Sequence, residues 1–126
     1  MIVNRLDHLV LTVQNVEISV DFYQRVLGMK KELFSTGRIA LSFGDQKINL
    51  HESGREFEPK AGMVQVGSAD LCFIIEAPLS EAVIHLQNCN VEVLEGPVRR
   101  TGALGPIMSL YFRDPDMNLI EVSNYL

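Results

Sequence analysis

A repeat at an offset of 62 residues constrains the fold of this 126-residue chain more than any other feature. In the first half, an alternating segment around His8 leads into a helical pattern that stops at Gly28, 20 positions later. In the second half, Asp70 opens a strand-like segment and Asn90 closes a helical pattern, again after 20 positions. A duplicated unit determines where every later motif is placed. The sequence therefore predicts two copies of one folding unit.

The first half contains the pattern of one strand, one helix and three strands. Residues 6–13 alternate between two faces, as a half-buried strand does. Apolar residues from Val16 to Leu27 recur at helical spacing, with Asn15 as the expected N-cap and Gly28 as the stop. Three further strands are predicted, with a hairpin turn at Gly44, over residues 30–35, 38–43 and 46–52.

The second half shows the same order. A strand is predicted over 69–75 and a helix after Pro78. The later strands are expected at 91–98, 108–113 and 118–124. The segment RTGALGP, residues 100–106, is interpreted as an insertion, and the Asp-Pro-Asp sequence at 114–116 as a tight turn.

These patterns predict an α+β fold in which two tandem βαβββ half-repeats form an open curved mixed sheet. We expect a single domain over 1–126, with half-repeats at 1–57 and 68–126 and a linker at 58–67. The concave side of the sheet would form a cup.

Charge and cysteine content restrict the partners. A net charge of −5 and a pI near 5.1 argue against a nucleic-acid or anionic membrane surface, because both require concentrated Lys and Arg. No segment has the length of a membrane span or the features of a signal peptide. Cys72 and Cys89 are too few for a disulfide framework. We expect a cytoplasmic protein with a small-molecule partner.

Strand alternation separates aliphatic positions that should face a helix from polar positions that should line the cup. His8, Asp70 and Glu121 fall on the cup side, where buried charges need a partner or a metal ion. One imidazole and two carboxylates favour Mn²⁺, Mg²⁺ or Fe²⁺, with Ni²⁺ and Zn²⁺ as alternatives. The other cup-facing polar residues are Thr12, Lys47, Asn49, His51, Ser109 and Tyr111.

Each expected ligand also has a structural interpretation that the sequence leaves open. His8 could be a strand histidine with its hydrogen bonds satisfied, and Glu121 could form an ion pair with Lys47 or Arg113. Asp70 could cap a turn at the start of its strand.

Three motifs resemble the vicinal-oxygen-chelate superfamily, which includes glyoxalase I, fosfomycin-resistance thiol transferases, extradiol dioxygenases and bleomycin-binding proteins. They are DHLVLTV near the start, FYxxVLGM at the first helix end, and YFRDPDMNLIEV near the C-terminus. FGDQKINLHE, FEPKA and GPIMSLYFRDPD resemble more closely still the group of glyoxalase domain-containing protein 5-like proteins. The resemblance implies the glyoxalase/bleomycin resistance/dioxygenase fold over essentially the whole chain.

The resemblance also implies ligands for the metal. His8 matches the first-strand histidine of the family and Glu121 matches its last-strand glutamate. Asp70 stands where glyoxalase I has histidine, and Asn49 stands where the bacterial enzyme has a fourth, glutamate ligand. A direct count would put Glu52 at that fourth position, but strand alternation turns it away from the cup. Small members of the superfamily build each cup from two chains, so a homodimer is expected.

The function that the resemblance implies is a divalent-metal-dependent lyase or isomerase of glyoxalase type, acting on a small oxygenated substrate. Glu121 would be a metal ligand that also transfers a proton. The alternatives are a fosfomycin-type thiol transferase, a ring-cleaving dioxygenase and a non-catalytic ligand-binding protein of the bleomycin type. The expected substrate contacts are Lys47, Asn49, His51, Arg100, Ser109 and Tyr111.

Overall fold

The computed structural model describes all 126 residues, in two helices and eight strands. The chain divides into two compact units, Met1–Val66 and Gly67–Leu126. Each unit has the order strand, helix and three strands, so the predicted α+β fold with two βαβββ halves is confirmed. The strands lie in two four-stranded mixed sheets, one in each unit.

In the first unit, the first strand lies at the edge of the sheet and pairs with the last strand in parallel. The sheet order is β1-β4-β3-β2, and the remaining pairs are antiparallel. The elements are β1 His8–Val13, α1 Val16–Leu27, β2 Lys30–Phe34, β3 Arg38–Phe43 and β4 Gln46–Glu52.

The second unit repeats this topology with the order β5-β8-β7-β6, in which β5 and β8 are parallel. The α2 helix packs against β7. The elements are β5 Asp70–Ile74, α2 Leu79–Asn88, β6 Glu95–Gly102, β7 Gly105–Arg113 and β8 Leu119–Tyr125.

The α1 helix begins and ends at the residues that the sequence predicts. The side chain of Asn15 accepts a hydrogen bond from the Ile18 N–H at 3.0 Å, which satisfies a free donor of the first turn. Gly28 ends the helix with a φ of 65°, in the left-handed region where glycine is favoured. The buried side of the helix carries Tyr23 and Val26 and packs on β2, β3 and β4.

The two faces of each sheet separate as the alternation predicts. Large aliphatic and aromatic side chains on one face are buried in the core, namely Leu41, Ile48, Leu50, Leu110, Phe112, Ile120 and Val122. The strand pairs bring Lys47, Asn49 and His51 into register with His8, Val10 and Thr12. Glu121 pairs with Cys72 on one side and Tyr111 on the other. The polar residues therefore lie together on the opposite face of each sheet.

The sixth strand departs from the prediction. It runs from Glu95 to Gly102 instead of over 91–98, and β7 starts at Gly105 instead of at residue 108. The predicted insertion at 100–106 is thus the end of a long β-hairpin. Asp114 and its neighbours form the predicted turn, because the Asp114 carboxylate accepts hydrogen bonds from the backbone N–H groups of Asp116 and Asn118.

Neither helix, at 12 and 10 residues, has the length and apolar character needed to cross a lipid bilayer.

Candidate functional site

A pocket of about 500 Å³ opens on the polar face of the second unit's sheet. One carboxylate and one guanidinium group lie among its walls, from Glu121 and Arg100. Pockets with apolar walls and a few charged groups are typical of small-molecule sites. The lining residues are Cys72, Ile74, Arg100, Thr101, Gly102, Ala103, Ile107, Tyr111, Glu121 and Tyr125.

The Glu121 carboxylate is held in place by two serine hydroxyls. Its Oε2 atom accepts a hydrogen bond from Ser109 Oγ at 2.5 Å and lies 3.4 Å from Ser123 Oγ. The two hydroxyl oxygens are 2.7 Å apart, and both serines are fully buried. Hydrogen bonds to a charged acceptor are short and strong. The carboxylate is therefore fixed against the pocket wall.

Arg100 and Tyr111 also line the pocket, and Tyr111 is paired with Glu121 across β7 and β8. Arg100 Nε donates to the Tyr111 hydroxyl at 3.0 Å, and Nη2 donates to Glu95 Oε1 at 3.0 Å. These two contacts raise the pKa of Arg100, which remains fully charged. Burial raises the pKa of Tyr111; the hydrogen bond from Arg100 lowers it and the charge of Glu121 raises it, without reversing the shift. Tyr111 therefore keeps its proton at neutral pH and can donate it in a hydrogen bond.

Cys72 faces Glu121 across the β5–β8 pair, with its sulfur 3.4 Å from Ser123 Oγ. Desolvation raises the pKa of the Cys72 thiol, and the nearby Glu121 carboxylate adds to this effect. A protonated thiol is a poor nucleophile. Cys72 therefore lines the pocket without the properties of a reactive cysteine.

In the first unit, His8 is oriented by its neighbour in the sequence. Its Nδ1 lies 2.7 Å from Asp7 Oδ2, so Nδ1 carries the proton and donates it to the carboxylate. This hydrogen bond lowers the pKa of Asp7. The His8 side chain is 43% exposed, and with the proton on Nδ1 its Nε2 carries a lone pair. Metal-binding histidines commonly have such a carboxylate partner.

The expected substrate contacts of the first unit differ in exposure. The Lys47 ammonium lies 3.9 Å from the centre of the Phe34 ring. Asn49 and His51 are only 5% and 2% exposed. His51 Nε2 accepts a hydrogen bond from Arg38 Nη2 at 3.3 Å. Their role in binding a substrate stays a prediction.

The predicted metal ligands are not gathered in either unit. No three His, Cys, Asp or Glu side chains lie close enough together to hold a metal ion. His8 is part of the first unit, whereas Asp70 and Glu121 are part of the second. Asp70 is exposed at the start of β5, on the same face as Cys72 and Glu121. Glu52 lies on the helix side of its sheet, 3.5 Å from the Val16 N–H, as the alternation predicts.

The structure adds residues that the sequence patterns did not indicate. Tyr125 lines the pocket because it lies on the same face of β8 as Glu121, a position that strand alternation could have identified. Arg38 lies beside His51 through the β3–β4 pairing, which the hairpin register could also have identified. Phe57 stacks against Arg38 from the loop after β4, where the sequence has no periodic signal.

The sequence profile of the Glyoxalase/Bleomycin resistance protein/Dioxygenase superfamily matches residues 5–122. The chain is 57% identical to Glyoxalase domain-containing protein RDO1 of Mycosarcoma maydis over 123 residues, which are 98% of this chain and 69% of RDO1. It is 52% identical to Virulence protein STM3117 of Salmonella typhimurium over 126 residues, which cover this whole chain and 88% of that protein.

Solved structures agree. The crystal structure of STM3117 superimposes with a TM-score of 0.99 and full coverage of both chains. An integron cassette protein from V. cholerae is 60% identical, with a TM-score of 0.98 over 100% of this chain and 98% of that chain. Lactoylglutathione lyase from Agrobacterium tumefaciens, at 23% identity, has a TM-score of 0.73 over 95% and 92% of the two chains and shares the fold. Metallothiol transferase FosB of Shouchella clausii is 28% identical over 127 residues, covering 95% of this chain and 80% of FosB.

Proposed function

Because the chain belongs to the Glyoxalase/Bleomycin resistance protein/Dioxygenase superfamily, we propose that it is a divalent-metal-dependent lyase or isomerase acting on a small oxygenated molecule. The observation that carries this proposal is the second-unit pocket, whose lining includes a fixed carboxylate, a cation and a phenol. The narrower similarity to glyoxalase domain-containing protein 5 stays a prediction.

The donor groups fit a divalent metal. His8 has its Nδ1 proton bound to Asp7, which leaves Nε2 as the free donor atom. Glu121 has one oxygen bound by Ser109, which leaves Oε1 for a second contact. Second-layer hydrogen bonds of this kind orient metal ligands and adjust their basicity. We propose that His8, Asp70 and Glu121 hold the ion, which would be Mn²⁺, Mg²⁺, Fe²⁺, Ni²⁺ or Zn²⁺.

His8 belongs to the first unit, whereas Asp70 and Glu121 belong to the second. The proposed metal site therefore needs ligands from both kinds of unit. We propose that the two come from different chains of a homodimer. Sedimentation equilibrium or light scattering should therefore give twice the chain mass of 14.1 kDa. Both cysteines are free thiols. A cytoplasmic location stays a prediction.

Each pocket residue has a separate role in the proposed reaction. A bound divalent ion would withdraw electrons from two neighbouring substrate oxygens and so acidify an adjacent C–H group. Glu121 is the one carboxylate in the pocket wall, and it is placed to accept that proton and return it. Tyr111 donates a hydrogen bond to developing negative charge. Arg100 orients an anionic part of the substrate, while Ile74, Ile107 and Tyr125 offer apolar surface to the rest of it.

A thiol transferase is the second candidate. It is favoured by the Arg100 guanidinium in the pocket wall, which suits an anionic acceptor, and by the similarity to a protein named a metallothiol transferase. In that case a thiol would be consumed together with the acceptor. A proton exchange catalysed without thiol would favour the isomerase instead.

The first test is metal content. Protein purified without a chelating tag should hold about one divalent ion per chain, and added ion should raise the melting temperature. Glu121→Gln should abolish both effects while the fold is retained. Glu52→Gln is the matched control, since Glu52 lies on the helix side of the other unit's sheet and should leave both unchanged. The proposal would be contradicted if wild-type protein held no metal and gained no stability from added ion. That result would favour a non-catalytic binding protein.

The second test is chemistry. Small 2-oxoaldehydes and 2-hydroxyaldehydes, each with and without a thiol, would be incubated in D₂O and followed by NMR. We expect metal-dependent exchange or migration of the proton next to the substrate oxygen, reduced at least about 100-fold in Glu121→Gln. Equal rates in wild type and Glu121→Gln would remove Glu121 from the proposed role.

A further inference from the structure

The second-unit pocket has a polar end, which lies at Glu121. Glu121 and Tyr125 lie on the same face of β8, because side chains alternate along a strand. Four residues of extended strand span about 13 Å, so these two residues mark opposite ends of the pocket. Tyr111 pairs with Glu121 across β7 and β8, and the Arg100 side chain reaches the Tyr111 hydroxyl. The charged and hydrogen-bonding groups of the pocket are therefore collected near Glu121.

The opposite end of the pocket, at Tyr125, is apolar. Ile107 pairs with Tyr125 across β7 and β8, and Ile74 belongs to the neighbouring strand β5. Both isoleucines line the pocket, together with Ala103 and the Tyr125 side chain. Burial of apolar surface at such an end favours binding. A substrate with its oxygenated group near Glu121 can therefore place an apolar substituent against this end.

The turn of the β6–β7 hairpin closes this apolar end. We call residues 101–105 the hairpin tip. The backbone N–H of Leu104 donates a hydrogen bond to the Tyr125 hydroxyl at 3.1 Å. The Tyr125 side chain thus lines the pocket, while its hydroxyl holds the tip. Three residues of the tip also line the pocket, namely Thr101, Gly102 and Ala103.

Gly102 lets the tip lie close to Tyr125. A Cβ atom at Gly102 would lie 3.0 Å from the Tyr125 hydroxyl oxygen and 2.9 Å from Ile107 Cγ2. Carbon atoms pack against neighbouring atoms at about 3.5–4.0 Å, so a side chain there would push the tip away. Leu104 is 89% exposed, and the pocket lining does not include it. Leu104 therefore contributes to this arrangement through its backbone N–H.

We infer that Tyr125 is a positioning residue that fixes the hairpin tip as the wall of the apolar end. The fixed wall selects a substrate whose oxygenated group carries an alkyl substituent longer than a methyl group. The inference rests on the proposed function in one respect, namely that the substrate binds in this pocket. Loss of the Tyr125 hydroxyl should leave the polar end at Glu121 intact.

The first test measures amide hydrogen exchange of the full-length chain by NMR. Tyr125→Phe keeps the ring and removes the hydroxyl, so the Leu104 amide should exchange about fivefold faster. Gly102→Ala should have the same effect with the hydroxyl still present, because its Cβ displaces the tip. Leu104→Ala is the matched control, since it keeps the backbone N–H. Its exchange should equal that of wild type once the intrinsic rate of alanine is allowed for.

The second test compares the binding of lactate and 2-hydroxyhexanoate, which differ by three methylene groups. Both carry a carboxylate that suits Arg100, and both are titrated by NMR without added metal. Wild type should bind 2-hydroxyhexanoate about tenfold more tightly, because the longer chain buries apolar surface. In Tyr125→Phe this preference should fall to about threefold or less, with lactate affinity unchanged. Leu104→Ala should keep the wild-type preference.

Four results would overturn the inference. They are an unchanged Leu104 exchange rate in Tyr125→Phe, an unchanged chain-length preference in that variant, equal or no binding of the two probes to wild type, and equal weakening of both probes by Tyr125→Phe. If Gly102→Ala does not fold, Tyr125→Phe alone decides. Glu121→Gln should keep both the slow Leu104 exchange and the chain-length preference, so failure of the metal proposal remains distinguishable.

Discussion

Ser109 is fully buried, and its hydroxyl lies between Glu121 and Ser123. Because it donates to the carboxylate oxygen that faces the sheet, it determines which oxygen of Glu121 remains free. Ser109 is thus a positioning residue for the proposed metal ligand. It acts on the ligand's orientation and basicity without touching the substrate.

Ser109→Ala should weaken divalent metal binding about 10-fold to 100-fold while the fold is kept. The measurement is isothermal titration with the metal that the purified protein retains. Ser42→Ala is the matched control, since Ser42 binds Glu32 on the first unit's sheet. Unchanged metal affinity in Ser109→Ala would show that this hydrogen bond is only structural.

His51 predicts a pH dependence of stability. Burial lowers the pKa of His51, and the charge of Arg38 lowers it further. Glu56 and Glu58 act in the opposite direction and Lys60 in the same direction, without reversing the shift. The unfolded chain therefore binds a proton more readily than the folded protein does. Stability should fall as pH decreases below about 6.5, the unfolded value, towards the folded pKa.

His51→Gln should remove this part of the pH dependence. We expect a smaller loss of melting temperature between pH 8 and pH 5.5 in the variant than in wild type, at about 4 °C for each kcal/mol. His85→Gln is the control, because His85 lies in the last turn of α2 on the protein surface. Identical slopes in wild type and His51→Gln would contradict the assignment.

At the scale of elements, the β6–β7 hairpin depends on a glycine. Gly96 has a φ of 112°, and a Cβ atom there would lie 2.3 Å from the Ser109 carbonyl oxygen. Gly96→Ala should lower the free energy of unfolding by roughly 3 kcal/mol or more. Gly44→Ala has no atom within 4 Å of its Cβ and a φ of 50°, so it should lose only about 1 kcal/mol. Urea unfolding of both variants checks the difference, and equal losses would contradict it.

The same hairpin shows where sequence reasoning reaches its limit. Both α1 ends and the bounds of β3 and β4 were predictable, because caps, turns and alternation agree there. In β6 the turn signals conflict with the strand, because Gly96, Pro97 and Gly102 are residues that usually end strands. An edge strand tolerates them because only one of its sides is paired.

The site was predictable only in part, for a related physical reason. Alternation assigns Tyr111, Ser109 and Glu121 to one face, and the structure brings them together there. Alternation gives no information on residues outside strands, so it did not identify Phe57 beside Arg38. It also gives no distance between side chains on different sheets, and hence it cannot assemble a ligand set.

At the scale of the whole molecule, mixed dimers test whether the proposed metal site is shared between chains. His8→Ala and Glu121→Gln each remove one ligand, so neither variant alone should retain metal. If His8 of one chain meets Glu121 of the other, a mixed dimer has one intact site and one site without either ligand. We therefore expect about half an ion per chain after both variants are coexpressed and separated by tag. A mixed dimer without metal would place both ligands in one chain.

The identical strand order of the two sheets has a consequence for how such a chain can evolve. Duplication produces two scaffolds whose helix-facing residues maintain the fold independently in each copy. The polar face of each copy can then change by substitution without loss of the other. In this chain the face of one copy carries His8, Lys47 and His51, and the face of the other carries Asp70, Glu121 and Arg100. New ligand preferences can therefore arise by altering one copy while the second preserves its inherited chemistry.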